Sequence, residues 1–598
     1  MLGCMLCRHT IVANRRIVME YIFGKPRSLG SVRRAGSKLR LFRTSFGTLI
    51  SLAIVVGTLV SACGAASPAS IETVVKEVVV EKEVTRVVLA TPEQVVEVST
   101  SVPIVAADSL VLGGTLRLGT QEPVVLFDPI HTQDNNSLWA ELNIFEHLAR
   151  IGADASSIEP AVAESWTINS TGDVWSFKIR QGMKFSNGEP VMIEDVKFSL
   201  DRCRAPEATV SWILEAVKDI KIVDSSTLEI ALTTPSAAFL NDIVLWGCGI
   251  YPEAYVKKVG DEVFAEKPIG SGPFMVSEWV KGQRVVLKRN PFYYGKDASG
   301  NSLPYLDQVI LEEITEDNTR VLKLLAGELD AVTSVPGSLV DTLKKAPDLT
   351  VVAAPAAGGN AIALNQRVPA LQDVKVRQAL KYAVDKQAIV DAVFFGYAQP
   401  SMSAIFPGVW CMTEKYGQKF DLDKAKALMA ESKFPDGFKV SLMLGAGNSV
   451  SEQIANIVKE QWKAINVEVT LEPTESGLAW ERRTKKDYDI NLGGFGTADN
   501  IDPNSNWLYG YISDGGAEAG RTGWKDAEMD TLFRKSQSEM DFGKRCDIYD
   551  KLQEIAAERG PSVGLVNMMA IYAFKPSVHG FKILPTFNWR LWEVWVSK

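Results

Sequence analysis

Apolar and polar residues alternate in short bursts through the first half of the chain. Leu116 and Leu118 share one side of Thr115–Gly119, and the same period of two recurs in Trp175–Arg180 and Thr227–Leu232. Such bursts predict short strands with one buried face. Gln181-Gly182 and the stretch Lys184–Gly188 supply turns between them. The second half carries a mixed signal. Val440, Leu442 and Leu444 mark a strand, and Ile454, Ala455, Val458, Trp462 and Ile465 then repeat at helical spacing within Ser451–Ile465. Val467, Val469 and Leu471 return to alternation. Strand, helix and strand with short joints form a βαβ unit, whose strands are parallel and whose crossover is right-handed. Another helix is predicted after Asp373, with Val376, Ala379, Leu380, Ala383 and Val384 on one face. Asp385 is placed to cap a further helix running through Phe395. The pattern predicts an α/β protein of two lobes, the first richer in strands.

The N-terminus breaks this pattern. Lys38, Arg40 and Arg43 precede an uncharged apolar run, Phe46 to Val60, which ends in Val60-Ser61-Ala62-Cys63-Gly64. A basic segment, an apolar stretch of about 7–15 residues and small residues before a cleavage point make a secretory signal. The run is short of the ~20 residues a membrane-spanning helix needs. The position of Cys63 resembles a bacterial lipobox, whose Cys starts the mature protein and carries the lipid. A plain signal peptide or a short uncleaved anchor, with an incidental Cys, is the alternative. Residues 1–62 are therefore read as a signal peptide, and residues 63–110 as a lipid-anchored Cys with a low-complexity tether. Cys4 and Cys7 fall in the discarded part. Four Cys remain in an oxidising compartment. Cys203 with Cys248 is the first candidate pair, and Cys411 and Cys546 leave three full connectivities open.

Charge and composition narrow the function. Hydrophobic residues make up 46% and charged residues 23% of 598, ordinary usage for a chain of two or three domains. The net charge of −8 hides an asymmetry. Residues 1–62 hold ten Lys and Arg and one acid, Glu20, which leaves 54 bases against 71 acids in the rest, a net −17. A body that acidic repels nucleic acid and anionic lipid. Gly-x-Ser-x-Gly, His-Glu-x-x-His and phosphate-cradling Gly-x-x-x-x-Gly-Lys-Ser/Thr motifs are absent. His9, His131, His147 and His579 are the four His, too few to assemble a triad or an imidazole-rich metal site. The sequence predicts no enzyme, no cofactor and no resident metal.

Several segments, in order, are those of a known family: Phe127-Asp128-Pro129, Glu159–Trp166, Phe177–Phe185, Asp195–Leu200, Pro268-Ile269-Gly270-Ser271-Gly272-Pro273-Phe274, Arg289-Asn290-Pro291 and Asp373–Leu380. From about Thr115 to the C-terminus the chain resembles the peptide- and nickel-binding group of ABC-transporter solute-binding proteins, extracellular family 5. The resemblance implies a two-lobed periplasmic-binding-protein fold with a small mixed α/β domain inserted in the first lobe. Lobe I would comprise 111–143, 268–353 and 577–598, the last supplying a strand near Phe581–Trp595, with the inserted domain at 144–267 and lobe II at 354–576. It implies a monomeric, extracytoplasmic lipoprotein that captures short peptides, or a similar amine-bearing solute, and delivers them to an ABC permease and ATPase complex. A signalling receptor of the same fold, or a trap for a sugar or metal chelate, is the alternative.

Within Gly493–Pro503, which follows a strand expected at Tyr488–Leu492, the resemblance places Asp499 opposite the ligand's ammonium, with Phe495 and Asn500 beside it and Trp410 at the mouth of the second lobe, where its aromatic face could wall the ligand. Trp139, Trp480 and Trp507 are further, weaker candidates for such a wall. Asp502 reads as a turn former before Pro503. Dipeptide-specific relatives carry an Arg just before the helix at Ser451–Ile465. Here Gly445-Ala446-Gly447-Asn448-Ser449-Val450 holds no base, which departs from strict dipeptide binding.

The anchor is tested by Cys63→Ala. The variant should leave the membrane fraction or stall in processing; normal cleavage after Ala62 with unchanged membrane fractionation would refute the lipobox.

Overall fold

The computed structural model describes residues 110–598 apart from Gln133, 497–500, 514–521, Phe587 and Lys598, and apart from the side chains of Phe495, Gly496 and Tyr509. Cys63 and the tether lie outside the described residues.

The first strand, β1 (Thr115–Thr120), is followed, after a small ribbon of Ala149–Ile151 with Ile158–Pro160, by four longer strands, β2 (Ala163–Ile168), β3 (Val174–Ile179), β4 (Val217–Asp224) and β5 (Thr227–Leu232). These four form a separate antiparallel sheet in the order β2-β3-β5-β4. The chain then returns with β6 (Phe274–Val280), β7 (Arg284–Arg289), β8 (Gln308–Glu313) and the two-residue β9 (Ala331–Val332). Leu116 of β1 lies beside Val309 of β8 in parallel register, and Val309 lies opposite Leu287 of β7. These three side chains are fully buried in one core; removing each from water is worth about 2–3 kcal/mol.

Two long strands run on from this sheet: β10 (Thr350–Leu364) and β15 (Ser562–Phe574), paired antiparallel along most of their length with a register shift between Pro355 and Gly359. At one end β15 also pairs with β9, and at the other β10 pairs with β14 (Ile490–Gly496). Beyond β14 lie β12 (Phe438–Gly445) and β13 (Val467–Thr474), while the short β11 (Ala398–Pro400) pairs with β15. The result is a single eleven-stranded sheet whose main path is β13-β12-β14-β10-β15-β9-β1-β8-β7-β6. The expected lobe boundary at 353/354 therefore falls inside a continuous strand.

The βαβ unit is present. β12 and β13 are parallel in register Phe438↔Val467, joined through helix α4 (Ser449–Lys463), whose Ile454, Ala455, Val458 and Trp462 are buried. Asn448 caps α4 by accepting from Ser451 N at 2.9 Å. The base-free loop before α4 thus starts a helix. Asp373 caps α2 (Val374–Tyr382) and Asp385 caps α3 (Lys386–Phe394). Earlier in the chain, α1 (Ile193–Cys203) covers the four-stranded sheet.

Two expectations are corrected. The strand expected at Tyr488–Leu492 begins at Ile490 and continues through Gly493, Gly494, Phe495 and Gly496, because Gly358–Ala361 of β10 offers those glycines a complete ladder. The C-terminal stretch near Phe581–Trp595, expected as a strand joining the first lobe, pairs instead as a ribbon, Val578–His579 with Trp595–Val596, plus an isolated bridge between Ile583 and Trp589. β15 already occupies the neighbouring place in the sheet, and the C-terminal residues contribute packing: Trp589, Leu591, Trp592 and Val594 are buried in the same core as Leu116.

The Pro268–Phe274 segment acquires a physical role. Gly272 N donates to Ile144 O at 2.9 Å, and Phe274 N to Asn143 O. A Cβ on Gly270 would stand 2.1 Å from Ile144 O. The glycine is needed for this close approach of two backbones, where the chain comes back past the point at which it left. Gly270→Ala should lower the unfolding free energy by about 1–3 kcal/mol, read as an earlier urea midpoint; an unchanged midpoint would show that the two segments can separate freely.

Candidate functional site

A cavity of about 610 Å³ opens on one side to Trp212 and Trp246, from the part of the chain carrying the four-stranded sheet, and on the other to residues of the second half. Its second wall is built from β10, β14, the start of β15, the loop 401–418 and three helices: α5 (Ser476–Thr484), α6 (Asn504–Gly510) and α7 (Phe542–Arg559).

One face of α7 fastens the loop 401–413 and the entry of α6 in this wall. Phe542, Arg545, Cys546, Tyr549, Gln553 and Ala556 recur at three- and four-residue intervals, which brings them to one side of a helix. Cys546 is bonded to Cys411, with Cα atoms 5.2 Å apart. Gln553 accepts from Ser403 Oγ and Thr413 N, both at 2.9 Å, and donates to Cys411 O at 2.9 Å. The loop 401–413, which supplies Ser403, Ala404, Phe406 and Thr413 to the cavity, is thus fastened at three points.

The same face fixes the segment leading into α6. Arg545 Nη2 stands 3.0 Å from Asp502 Oδ2, and both side chains are almost wholly excluded from water. Asp502 Oδ1 accepts from Tyr549 Oη at 3.0 Å and from Asn504 N at 2.9 Å. Burial raises the Asp502 carboxyl above its ordinary range, while the Arg545 charge and the two donors pull it back. Asp502 does turn the chain, through Asn504 N, and it is also the buried anion of an ion pair, which a reading of Asp before Pro as a turn former did not reach.

At its C-terminus α7 leaves carbonyls without helical partners. Lys381 Nζ donates to Ala556 O and Ala557 O, both at 2.9 Å, Gln418 Nε2 to Ala557 O at 2.8 Å, and Arg377 to Arg559 O. A cation at that end also meets the negative pole of the helix. Burial pushes the Lys381 ammonium down to about 7, and the charges of Arg377 and Lys386 push the same way. Lys386, which donates to Ser401 O, is pushed down to about 8 by burial. Both lysines line the cavity.

The family model for "Bacterial extracellular solute-binding proteins, family 5 Middle" matches residues 157–517, more than half of the chain. The chain belongs to this family. The solute-binding protein is 26% identical over 491 residues to the "Dipeptide-binding protein" of Pseudomonas aeruginosa, with 77% of this chain and 90% of that one covered. Among solved structures, it is similar to the oligopeptide-binding protein AppA from Bacillus subtilis in complex with a nonapeptide, at 25% identity and a TM-score of 0.69, covering 82% of this chain and 100% of that one. It is also similar to AgaA in complex with agropinic acid from A. tumefacien R10, at 27% identity and a TM-score of 0.71, with 81% and 99% covered. Members of the family are extracytoplasmic binding proteins rather than enzymes. Among the described residues no group of His, Cys, Asp and Glu is gathered to hold a metal ion, and no helix is long and apolar enough to cross a membrane.

The residues singled out from the sequence of this solute-binding protein fall in different places. Asp499 and Asn500 lie outside the described residues. Phe495 is placed by its backbone, opposite Gly359, and its side chain is not described. Trp410 does not line the cavity. Its ring meets Phe542 edge-on with centroids 5.2 Å apart, and its backbone N–H donates to Ile501 O at 2.9 Å, so it ties the loop 401–413 to the entry of α6. Of the other tryptophans considered as ligand walls, Trp480 lines the cavity, Trp507 is core and Trp139 packs against Trp589. Cys203 is bonded to Cys248, Cα–Cα 5.5 Å, pinning the end of α1 to the segment that carries Trp246. Sequence reasoning missed Trp212, Trp246, Asn360 and Asn491, all on the cavity wall. The two asparagines make no side-chain hydrogen bond among the described residues. Polar side chains at inward positions of β10 and β14, strands otherwise apolar on that side, were the signal that could have shown them.

Removing one half of a buried ion pair leaves an uncompensated charge, at about 3–5 kcal/mol. Arg545→Met should destabilise the protein on that scale, and Asp502→Asn together with Arg545→Met by clearly less than the sum of the single changes. Urea titration of the four proteins checks this; additive losses would mean the two groups do not act as a pair.

Proposed function

We propose that the protein captures short peptides, or a similarly amine-bearing solute, in this cavity and delivers them to an ABC permease and ATPase complex. The observation that carries the reading is the cavity itself. It is of the size usual for small-molecule sites, about 300–1,000 Å³, has tryptophans on both walls, and offers uncommitted amides from Asn360 and Asn491 that can meet a peptide backbone. The peptide-bound and dipeptide-binding relatives support the same class of solute, while the agropinic acid complex keeps a non-peptide solute as the alternative.

Asp499 is proposed to receive the solute's ammonium. A carboxylate facing an ammonium where water is excluded makes a charge-assisted contact, and an ionised carboxylate there needs such compensation. Lobe I is proposed as 111–143 with 268–353 and 577–598, the inserted domain as 144–267 and lobe II as 354–576; the pairing of β1 with β8 across the insertion supports this division. Cys63 is proposed to carry the lipid that tethers the protein to the bacterial cell membrane.

Mass spectrometry of the solute released from the purified protein on denaturation tests the class directly: peptides are expected, and a homogeneous non-peptide solute would replace the reading. For a peptide so identified, Asp499→Ala should weaken binding at least tenfold, about 1.4 kcal/mol. Acetylating the peptide's amine should have a similar effect, without adding to that of the substitution. Equal binding of free and acetylated peptide would remove Asp499 from the role.

A further inference from the structure

The cations that line the cavity are unequal. Lys381 is held by two backbone carbonyls and Lys386 by one. Arg483 is not committed. Among the described residues its guanidinium makes no hydrogen bond and no ion pair, and its Nε is buried without a partner. Its neighbours are engaged: Arg482 meets Glu472 at 2.7 Å, and Lys485 pairs with Glu481. One turn before Arg483 on α5 stands Trp480, whose ring centroid is 5.4 Å from the guanidinium carbon, and both residues line the cavity.

A guanidinium on an aromatic face is held in plane, with its fork of N–H groups directed outward. That fork matches a carboxylate through two parallel hydrogen bonds, which a lysine ammonium cannot reproduce. A buried N–H without an acceptor is unfavourable until one arrives. The loop Gly445–Val450, where dipeptide-specific relatives carry their base, does not line the cavity and serves to cap α4. Among the described residues, the cavity-facing base that is left uncommitted lies elsewhere, on α5.

We propose that Arg483, braced on Trp480, receives the carboxylate of the bound solute. The inference rests on the peptide reading and sharpens it: the solute carries a free carboxylate as well as an amine, and its length is set by the distance between the groups that hold its two ends.

Calorimetry with trialanine and pentaalanine, each as free acid and as C-terminal amide, tests this on wild type, Arg483→Gln and Arg483→Lys. For the peptide that binds wild type better, the free acid should bind at least tenfold tighter than the amide. Arg483→Gln should bring the two within about twofold of each other, and Arg483→Lys should restore part of the preference. The ratio of acid to amide is taken within each protein, so a general loss of stability does not imitate the effect. Equal binding of acid and amide to wild type, or an acid preference that survives in Arg483→Gln, overturns the assignment and leaves the peptide reading standing. Failure of wild type to bind either peptide in either form overturns the peptide reading, and this inference with it.

Discussion

Asp502 and Arg545 face each other at 3.0 Å with almost no water around either. Replacing such a pair by apolar residues is often neutral for stability, whereas breaking it is strongly unfavourable. Its contribution is therefore position more than stability. The pair ties the chain entering α6 to α7, and Tyr549 and Asn504 N hold the other carboxylate oxygen of Asp502. Because α6 and the loop 401–413 are both fixed to α7, the part of the cavity wall that they build is positioned by one helix face.

The opposite end of α7 extends the same logic. Its last carbonyls are met by Lys381, Gln418 and Arg377, so that α2 is docked to α7 through polar groups inside a largely apolar layer. Two lysines lining the cavity are thereby held by carbonyls and driven toward their neutral forms by burial. A solute entering from the Trp212 and Trp246 side meets a wall whose polar groups are already engaged, apart from a small number of side chains.

Capture of a solute between lobes requires the lobes to be joined without being locked. Here the long strands β10 and β15 run through both parts of the sheet, and their register shifts between Pro355 and Gly359 and again between Asn360 and Ala361. These irregularities interrupt the ladder where β10 passes from the core around Leu116 to the cavity wall.

Local pattern alone was sufficient for elements whose partners are close in sequence. The alternation of Leu116 and Leu118, the helical spacing of Ile454 to Trp462 and the caps at Asp373 and Asp385 each follow from a few consecutive residues, and the ordered motifs from Phe127 to Leu380 identified the family. The cavity was not legible in this way. Gly493–Gly496 read as a loop because glycines carry no strand preference; β10 makes them a strand by offering a complete ladder from more than a hundred residues away. Asp502 read as a turn former because its partner Arg545 is distant in sequence and adjacent only in space. Trp410 read as a ligand wall, yet its ring meets Phe542. Arg482 and Arg483 are indistinguishable as a sequence pair. Only the fold gives the first a glutamate and leaves the second facing the cavity, since burial and the choice of partner are properties of packing between distant segments.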